Sequence, residues 1–361
     1  MAQASSGDAL RLLYVGPFNS PHVGDLAIAM RGRGHVVHVG GQVWEGVPDV
    51  ALARHGIPTS PMSAPSILWM RRLIADVRPD VVHSHWIPFA ALAAMAGARP
   101  LVVTAWGSDV YAAGRRRRLE ARFGLRRASL ATADSADLLA RLEKLGPASL
   151  RTLLVNWGVD LDVFRIPTQQ ERHELKARIG LGPGPVVLSP RGVKEIYNPA
   201  VVVGAFARAR AKIPDLQLVL KHSDDAVVPP EWSRAPGVHL VGAVDADQMR
   251  DLFQAAELTV SIAASDSSPR SVWEAMACGS AAIVSDLPWV HELIVDGRHA
   301  AVVEPRPAAV AAAIERLLLG ESERWRIVKA ARELVERHRN RAVELSRIER
   351  CYRELAAAGR D

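Results

Sequence analysis

Short apolar runs, each followed by a turn or an amphipathic stretch, recur along almost the whole chain. This alternation restricts the fold more than any other feature. "LRLLYVG", "VVHVG", "VVHSHW", "LVVTAWG", "LATAD" and "TLLVNWG" read as strands between residues 10 and 158. "DLAIAMRGRGH" reads as a helix closed by Gly34, and "SILWMRRLIADVRPD" as a helix ending before Pro79. Strands that alternate with helices predict a parallel sheet covered on both faces.

The pattern then repeats. "PVVLSPR", "LQLVLK", "VHLVGAV", "LTVSIAA", "AAIVSD" and "AAVVEP" read as a second set of strands, with "NPAVVVGAFARARAKIP" and "ADQMRDLFQAAE" as helices among them. A chain of 361 residues suits about two domains. With 49% hydrophobic residues, each can bury a core. The break is expected in the polar stretch "FRIPTQQER", dividing the chain into 1–163, 164–340 and a C-terminal helical tail, 341–361, that packs back on the first domain. The fold class expected is α/β, two Rossmann-like parallel sheets facing across a cleft.

Composition removes several classes. No run of about 18 uncharged apolar residues exists, so no transmembrane helix is expected. "MAQASSGDALRLLYVG" lacks the basic region and apolar core of a secretory leader. Two cysteines, Cys278 and Cys351, make no disulfide framework, and a cytoplasmic location is expected. Cys278 reads as a small buried residue. No Cys/His spacing suits zinc. The net charge of +6 fits anionic ligands such as nucleotides, and nothing resembles an aromatic–basic surface for nucleic acid.

Ligands of open α/β sheets bind beyond the carboxyl ends of the strands. At one such end stands "SIAASDSSPRSVWEAMACG", residues 261–279. Ser268 is expected as an N-cap and Pro269 as the first helical residue, with Gly279 as the stop. Free N–H groups there make an anion site, and Arg270 adds charge. Asp266 lies just before the cap, and Glu274 follows roughly 9 Å farther along if the segment is helical. A phosphate between two carboxylates that accept from sugar hydroxyls would match; so would a capped helix with two solvated acids.

"D-x7-E" followed by "AMACG", "AIVSD" and "HELI.DG" resembles the signature of GT-B-fold glycosyltransferases of family 4. "RGRGHVVHV", "RPDVVHSHW", "LVVTAWGSDVY", "NWGVDLDVF" and "VVLSPRGVKEIYNPAVVVGAFA" resemble family segments in the expected order. The resemblance implies that Asp266 takes the place of a glutamate that contacts the donor sugar. It also implies that Glu274 meets the nucleotide ribose, and that Ser267, Ser268, Pro269, Arg270 and Ser271 line the diphosphate and sugar. Aspartate sets the carboxylate back by about 1.5 Å. Arg191 matches the arginine that meets the diphosphate. Ile196 stands where the family lysine is usual, with Lys194 the nearest substitute.

"TAWGSDV" departs from the family's His-Gly-x-Asp: Trp106 precedes Gly107, Ser108 and Asp109. Tryptophan cannot act as a general base. Asp109 either orients the acceptor or caps the following helix. Trp86, Trp106 and Trp157 each end a predicted strand of the first domain and read either as an acceptor wall or as core. Asn156 and Gly158 read as part of a domain-crossing turn. The loop "VGPFNSPHVGD" has no G-x-G-x-x-G; Gly16 permits close backbone approach, and His22 reads as an acceptor or phosphate contact or as a surface histidine. His83 and His85 share one side of a strand and read as packing. Trp289 and Glu292 are expected beside the cleft, where Trp289 replaces a usual glycine and would narrow the pocket. The arginines of "GRRRRLEARFGLRRA" read first as a solvated face, and second as contact with the inner face of an anionic membrane or with an acidic acceptor.

The resemblance implies a retaining glycosyltransferase of EC 2.4 type, acting without cofactor or metal on a nucleotide sugar and a small-molecule, glycan or lipid-linked acceptor. Asp109, Arg191, Lys194 and Asp266 are the catalytic candidates. Gly16 joins the donor-binding set; His22, Trp86, Trp106, Gly107 and Asp109 form the acceptor set. A sugar-nucleotide epimerase, a phosphorylase-like transferase and a silent nucleotide-sugar-binding partner stand as rivals.

Overall fold

The computed structural model describes residues 9–17, 20–43, 50–111, 113–223 and 226–359. Phe18 and Asn19 of the first loop lie outside the described residues. The chain divides into two compact units, Met1–Asn156 with Glu344–Asp361, and Trp157–Val343. The chain therefore changes unit a few residues before the polar stretch at 164–172. That stretch is the start of a helix, Gln169–Arg178, closed by a reciprocal Thr168–Glu171 capping box.

The first unit holds seven parallel strands: β1 (Arg11–Val15), β2 (Val36–Gly41), β3 (Thr59–Pro61), β4 (Val81–His85), β5 (Leu101–Thr104), β6 (Leu130–Ala133) and β7 (Thr152–Leu154). Their order is β3-β2-β1-β4-β5-β6-β7. The second unit holds six: β8 (Val186–Ser189), β9 (Gln217–Lys221), β10 (Val238–Val241), β11 (Leu258–Ser261), β12 (Ala281–Ser285) and β13 (Ala301–Val303), in the order β10-β9-β8-β11-β12-β13. Every pairing is parallel. β3 carries no apolar run and ends in proline, which suits only an edge, and it escapes a reading by hydrophobic pattern.

Helices form where capping and periodicity agree. Ser66 accepts from Trp69 N–H to open Ile67–Val77, and Asp245 with Gln248 makes a capping box for Ala246–Ala255. The helix Ile87–Met95 is apolar all round and buried, so no amphipathic stripe marks it in the sequence. Gly34 and Gly279 follow helix ends with positive φ, as expected of stops. "TLLVNWG" forms a strand only through Leu154, so Trp157 does not end a strand of the first unit; it belongs to the second.

Two helices end the chain, Glu321–His338 and, over the expected tail, Arg341–Ala358. The second packs on the first unit's sheet through Tyr352, which is fully buried with its hydroxyl 2.5 Å from His83 Nδ1. No helix among the described residues is long and apolar enough to cross a membrane.

Candidate functional site

Each sheet reverses its strand order once, between β1 and β4 in the first unit and between β8 and β11 in the second. Loops leaving the two strands at such a point diverge and open a crevice. Gly16 and Trp86 follow β1 and β4, and Arg191, Lys194 and the residues from Asp266 to Glu274 follow β8 and β11.

In the second unit, Arg191 follows β8 and Asp266 follows β11. Two hydrogen bonds stitch their loops: Ala264 N–H donates to the Ile196 carbonyl, and Asn198 Nδ2 to the Ile262 carbonyl, both at 2.8 Å. Arg191 is thereby held against Asp266, Nη2 to Oδ2 2.7 Å, with its guanidinium 4.7 Å from the centre of the Tyr197 ring. Burial pushes the Asp266 carboxyl up, while Arg191 and the Ser267 N–H, 2.9 Å from Oδ1, oppose the rise. Ile196, in the lysine's place, is an exposed side chain; Lys194 is exposed at the start of a short 3-10 turn. Tyr197 and Asn198 were missed in the sequence. The only signal was Asn-Pro at a helix start, since Asn198 precedes the helix Pro199–Arg210.

The helix after Asp266 runs Arg270–Ala277. Its N-cap is Pro269, one residue later than expected, because Ser268 adopts a left-handed backbone, φ 48°. The Ser268 hydroxyl accepts from the Trp273 indole N–H at 3.0 Å. Arg270 pairs with Glu274 one turn on, Nε to Oε1 2.6 Å. Glu274 is 8% exposed, so it is not a solvated surface acid. Ser267 and Pro269 are buried and Ser271 is partly buried on the first helical turn. Both expected carboxylates thus face an arginine: Asp266 faces Arg191 from the loop after β8, and Glu274 faces Arg270 on the first turn of the helix, whose N-terminus favours an anion.

In the first unit, Gly16 follows β1. A Cβ there would stand 3.0 Å from the His85 carbonyl, and one at Gly41 would collide with the Gly16 carbonyl, so this point is closed to larger residues. Trp86 follows β4 with φ 73°, and Trp106 follows β5; both are partly buried. Asp109 ties their loops, accepting from Ile87 N–H at 2.9 Å and Trp106 N–H at 3.0 Å with separate oxygens. It is fully buried, and burial pushes its carboxyl up against those bonds. These are the contacts of a backbone tie. Gly107, φ 94°, accepts from Val110 and Tyr111 N–H groups in the turn between. His22 lies on the first turn of the helix Pro21–Gly32, its ring 5.2 Å from that of Trp106. Arg117 stacks over Trp86 at 5.0 Å.

Beneath this surface His83 and His85 stack at 4.3 Å, both fully buried. His83 Nε2 is 2.6 Å from Thr104 Oγ1, which is 2.5 Å from Thr132 Oγ1. Burial lowers His83 to about 3 and His85 well below its usual value, so both stay neutral. Trp289 is 2% exposed and meets Trp273 edge-on at 6.0 Å; its bulk fills the core instead of narrowing a pocket, a correction to the expectation above. Glu292 ends a short 3-10 turn and is partly buried. Cys278 is buried in the same core, which pushes its thiol up. Among the described residues no three or more His, Cys, Asp or Glu groups are arranged to hold a metal ion.

Two family models match in the order of the units: Glycosyltransferase Family 4 over residues 20–163 and Glycosyl transferases group 1 over residues 172–334. No curated protein matches the chain. Among solved structures, HepE of Anabaena in complex with UDP and glucose is similar with a TM-score of 0.81 at 18% identity, covering 96% of this chain and 100% of that one. Sucrose-phosphate synthase of Thermosynechococcus elongatus gives 0.79 at 18%, covering 96% and 99%. The α,α-trehalose 6-phosphate synthase of Burkholderia multivorans gives 0.71 at 15%, covering 97% and 100%. At these identities the likeness is one of fold.

Proposed function

The chain belongs to the group 1 glycosyltransferases of GT-B fold, and from that premise we propose that it moves a hexose from a nucleotide sugar to an acceptor hydroxyl with retention of anomeric configuration. The second unit takes the donor and the first the acceptor. The observation that carries this reading is the Arg191–Asp266 pair at the strand-order reversal, beside the start of the helix Arg270–Ala277. Arg191, Arg270 and the helix N–H groups face the diphosphate, Asp266 the donor sugar and Glu274 the ribose. Lys194 is the further cation within the same loop.

Retention follows from which base is at hand. Trp106 accepts no proton, and both Asp109 oxygens are engaged by backbone. The acceptor hydroxyl oxygen bonds the anomeric carbon on the face from which the diphosphate leaves. The carbon–oxygen bond to the diphosphate breaks, and the acceptor proton passes to the departing phosphate oxygen. Arg191 and the helix N–H groups stabilise the charge that grows there, so this reading calls on no metal and no cofactor. Trp86, Trp106 and His22 offer the acceptor an aromatic surface. The arginine helix, Arg115–Arg127, is read as a solvated face of a cytoplasmic protein, with an anionic membrane surface as the second reading because Leu119 is 65% exposed among the arginines.

Incubation of the protein with labelled UDP-glucose, the donor type bound by the Anabaena protein, and then other nucleotide sugars tests the reading with an acceptor library. Labelled product supports it. Donor affinity without turnover would instead support a silent binding partner, and donor isomerised without acceptor an epimerase.

A further inference from the structure

We propose that Trp273 is a positioning residue of the donor site: its indole N–H holds Ser268 in a left-handed backbone and so sets the direction of the N–H groups that meet the donor. The inference rests on the functional reading above.

Ser268 has φ 48°, a region that glycine visits readily and serine does not. Serine stays there only if its surroundings hold it. Its hydroxyl accepts from Trp273 Nε1 at 3.0 Å, with Ser268 5% and Trp273 1% exposed. The indole is fixed from two further directions. The Arg339 guanidinium lies 4.4 Å over its face, and Trp289 meets it at 69°. Arg339 is itself anchored, since its carbonyl accepts from Val159 N–H at 2.6 Å and Arg341 N–H donates to the Val159 carbonyl at 3.1 Å.

Ser268 lies between the two parts of the site. On one side Ser267 N–H donates to Asp266, which faces Arg191. On the other, Pro269 caps the helix whose second residue is Ser271. A turn of Ser268 to an ordinary backbone would rotate both neighbouring peptides. A large buried aromatic needs no function beyond core packing. The bond to a strained residue in the site loop is what packing alone leaves unexplained.

Trp273→Phe keeps one ring between Arg339 and Trp289 and removes the N–H together with the rest of the indole, so the glycine rescue below separates loss of the bond from loss of packing. Calorimetry with UDP and a panel of other nucleoside diphosphates, together with hydrogen exchange of residues 264–272 in the free protein, reads the effect. Loss of one buried hydrogen bond should weaken affinity about tenfold and raise exchange in that segment, with the thermal transition still cooperative. Ser268→Gly in the Trp273→Phe background should restore both in part, because glycine adopts the left-handed backbone without strain. Unchanged affinity and exchange in Trp273→Phe, or a loss that glycine does not rescue, overturns the inference. Wild-type protein that binds none of the nucleotides overturns the donor reading, and the inference with it.

Discussion

Arg191 and Asp266 face each other at 2.7 Å across the carboxyl ends of β8 and β11, the adjacent strands where the second sheet reverses its order. Neither side chain reaches the other through local sequence. Their loops are brought together by the Ile196–Ala264 and Asn198–Ile262 hydrogen bonds. An incoming diphosphate would draw Arg191 toward itself and leave Asp266 to accept from sugar hydroxyls.

Arg191→Ala should lower turnover on the order of a hundredfold, as for the loss of one transition-state donor, with a smaller change in donor affinity. Steady-state kinetics with varied donor check this. An effect confined to KM would mean that Arg191 binds ground state and transition state equally.

Glu274→Ala should weaken nucleotide binding and leave the fold intact, since it removes the expected ribose acceptor while its partner Arg270 is partly exposed. Titration calorimetry decides it, and unchanged affinity would reject the ribose role.

An α-linked donor should give an α-linked product. The anomeric coupling constant in the proton NMR spectrum of the product is diagnostic. A β-linked product would reject same-face transfer and turn attention to His22 and Asp109 as bases.

Replacing Arg115, Arg116 and Arg118 by Ser should leave activity on a small neutral acceptor within about twofold, because exposed charges of a helix face contribute little. Arg116 pairs with Glu120 on its own helix, and Arg118 bonds the Ala113 carbonyl. Arg117, which covers Trp86, should be the exception. A collapse in the triple variant would overturn the solvated-face reading.

His83 and His85 should stay neutral in the folded protein down to pH 5. Their folded values lie below the ordinary 6.5, so the unfolded chain binds protons first as pH falls. Their contribution to stability is complete above 6.5 and is lost progressively as the pH falls below it. Imidazole nitrogen shifts followed from pH 8 to 5 test the neutral state, and a folded-state titration near 6.5 would contradict it.

The alternation of apolar runs, the helix stops at Gly34 and Gly279, and the spacing of Asp266 and Glu274 are local properties, and they were readable before any coordinates. Such signals depend on residues within a turn or two of one another. β3 and the helix Ile87–Met95 carried no such pattern, one lacking an apolar run and the other lacking a polar face.

By itself, the sequence determined two α/β units, the places of most of their apolar runs, and a chain order resembling one glycosyltransferase family. Only the tertiary structure decided the partners of the charged and aromatic side chains. It assigned Asp266 to Arg191, 75 positions apart in numbering (266 − 191), and Glu274 to Arg270. It moved the helix cap from Ser268 to Pro269, committed Asp109 to two backbone N–H groups, and buried Trp289 in the core. The reason is physical: secondary structure follows short-range backbone and hydrophobic periodicity, whereas burial and charge pairing depend on which loops strand order brings together.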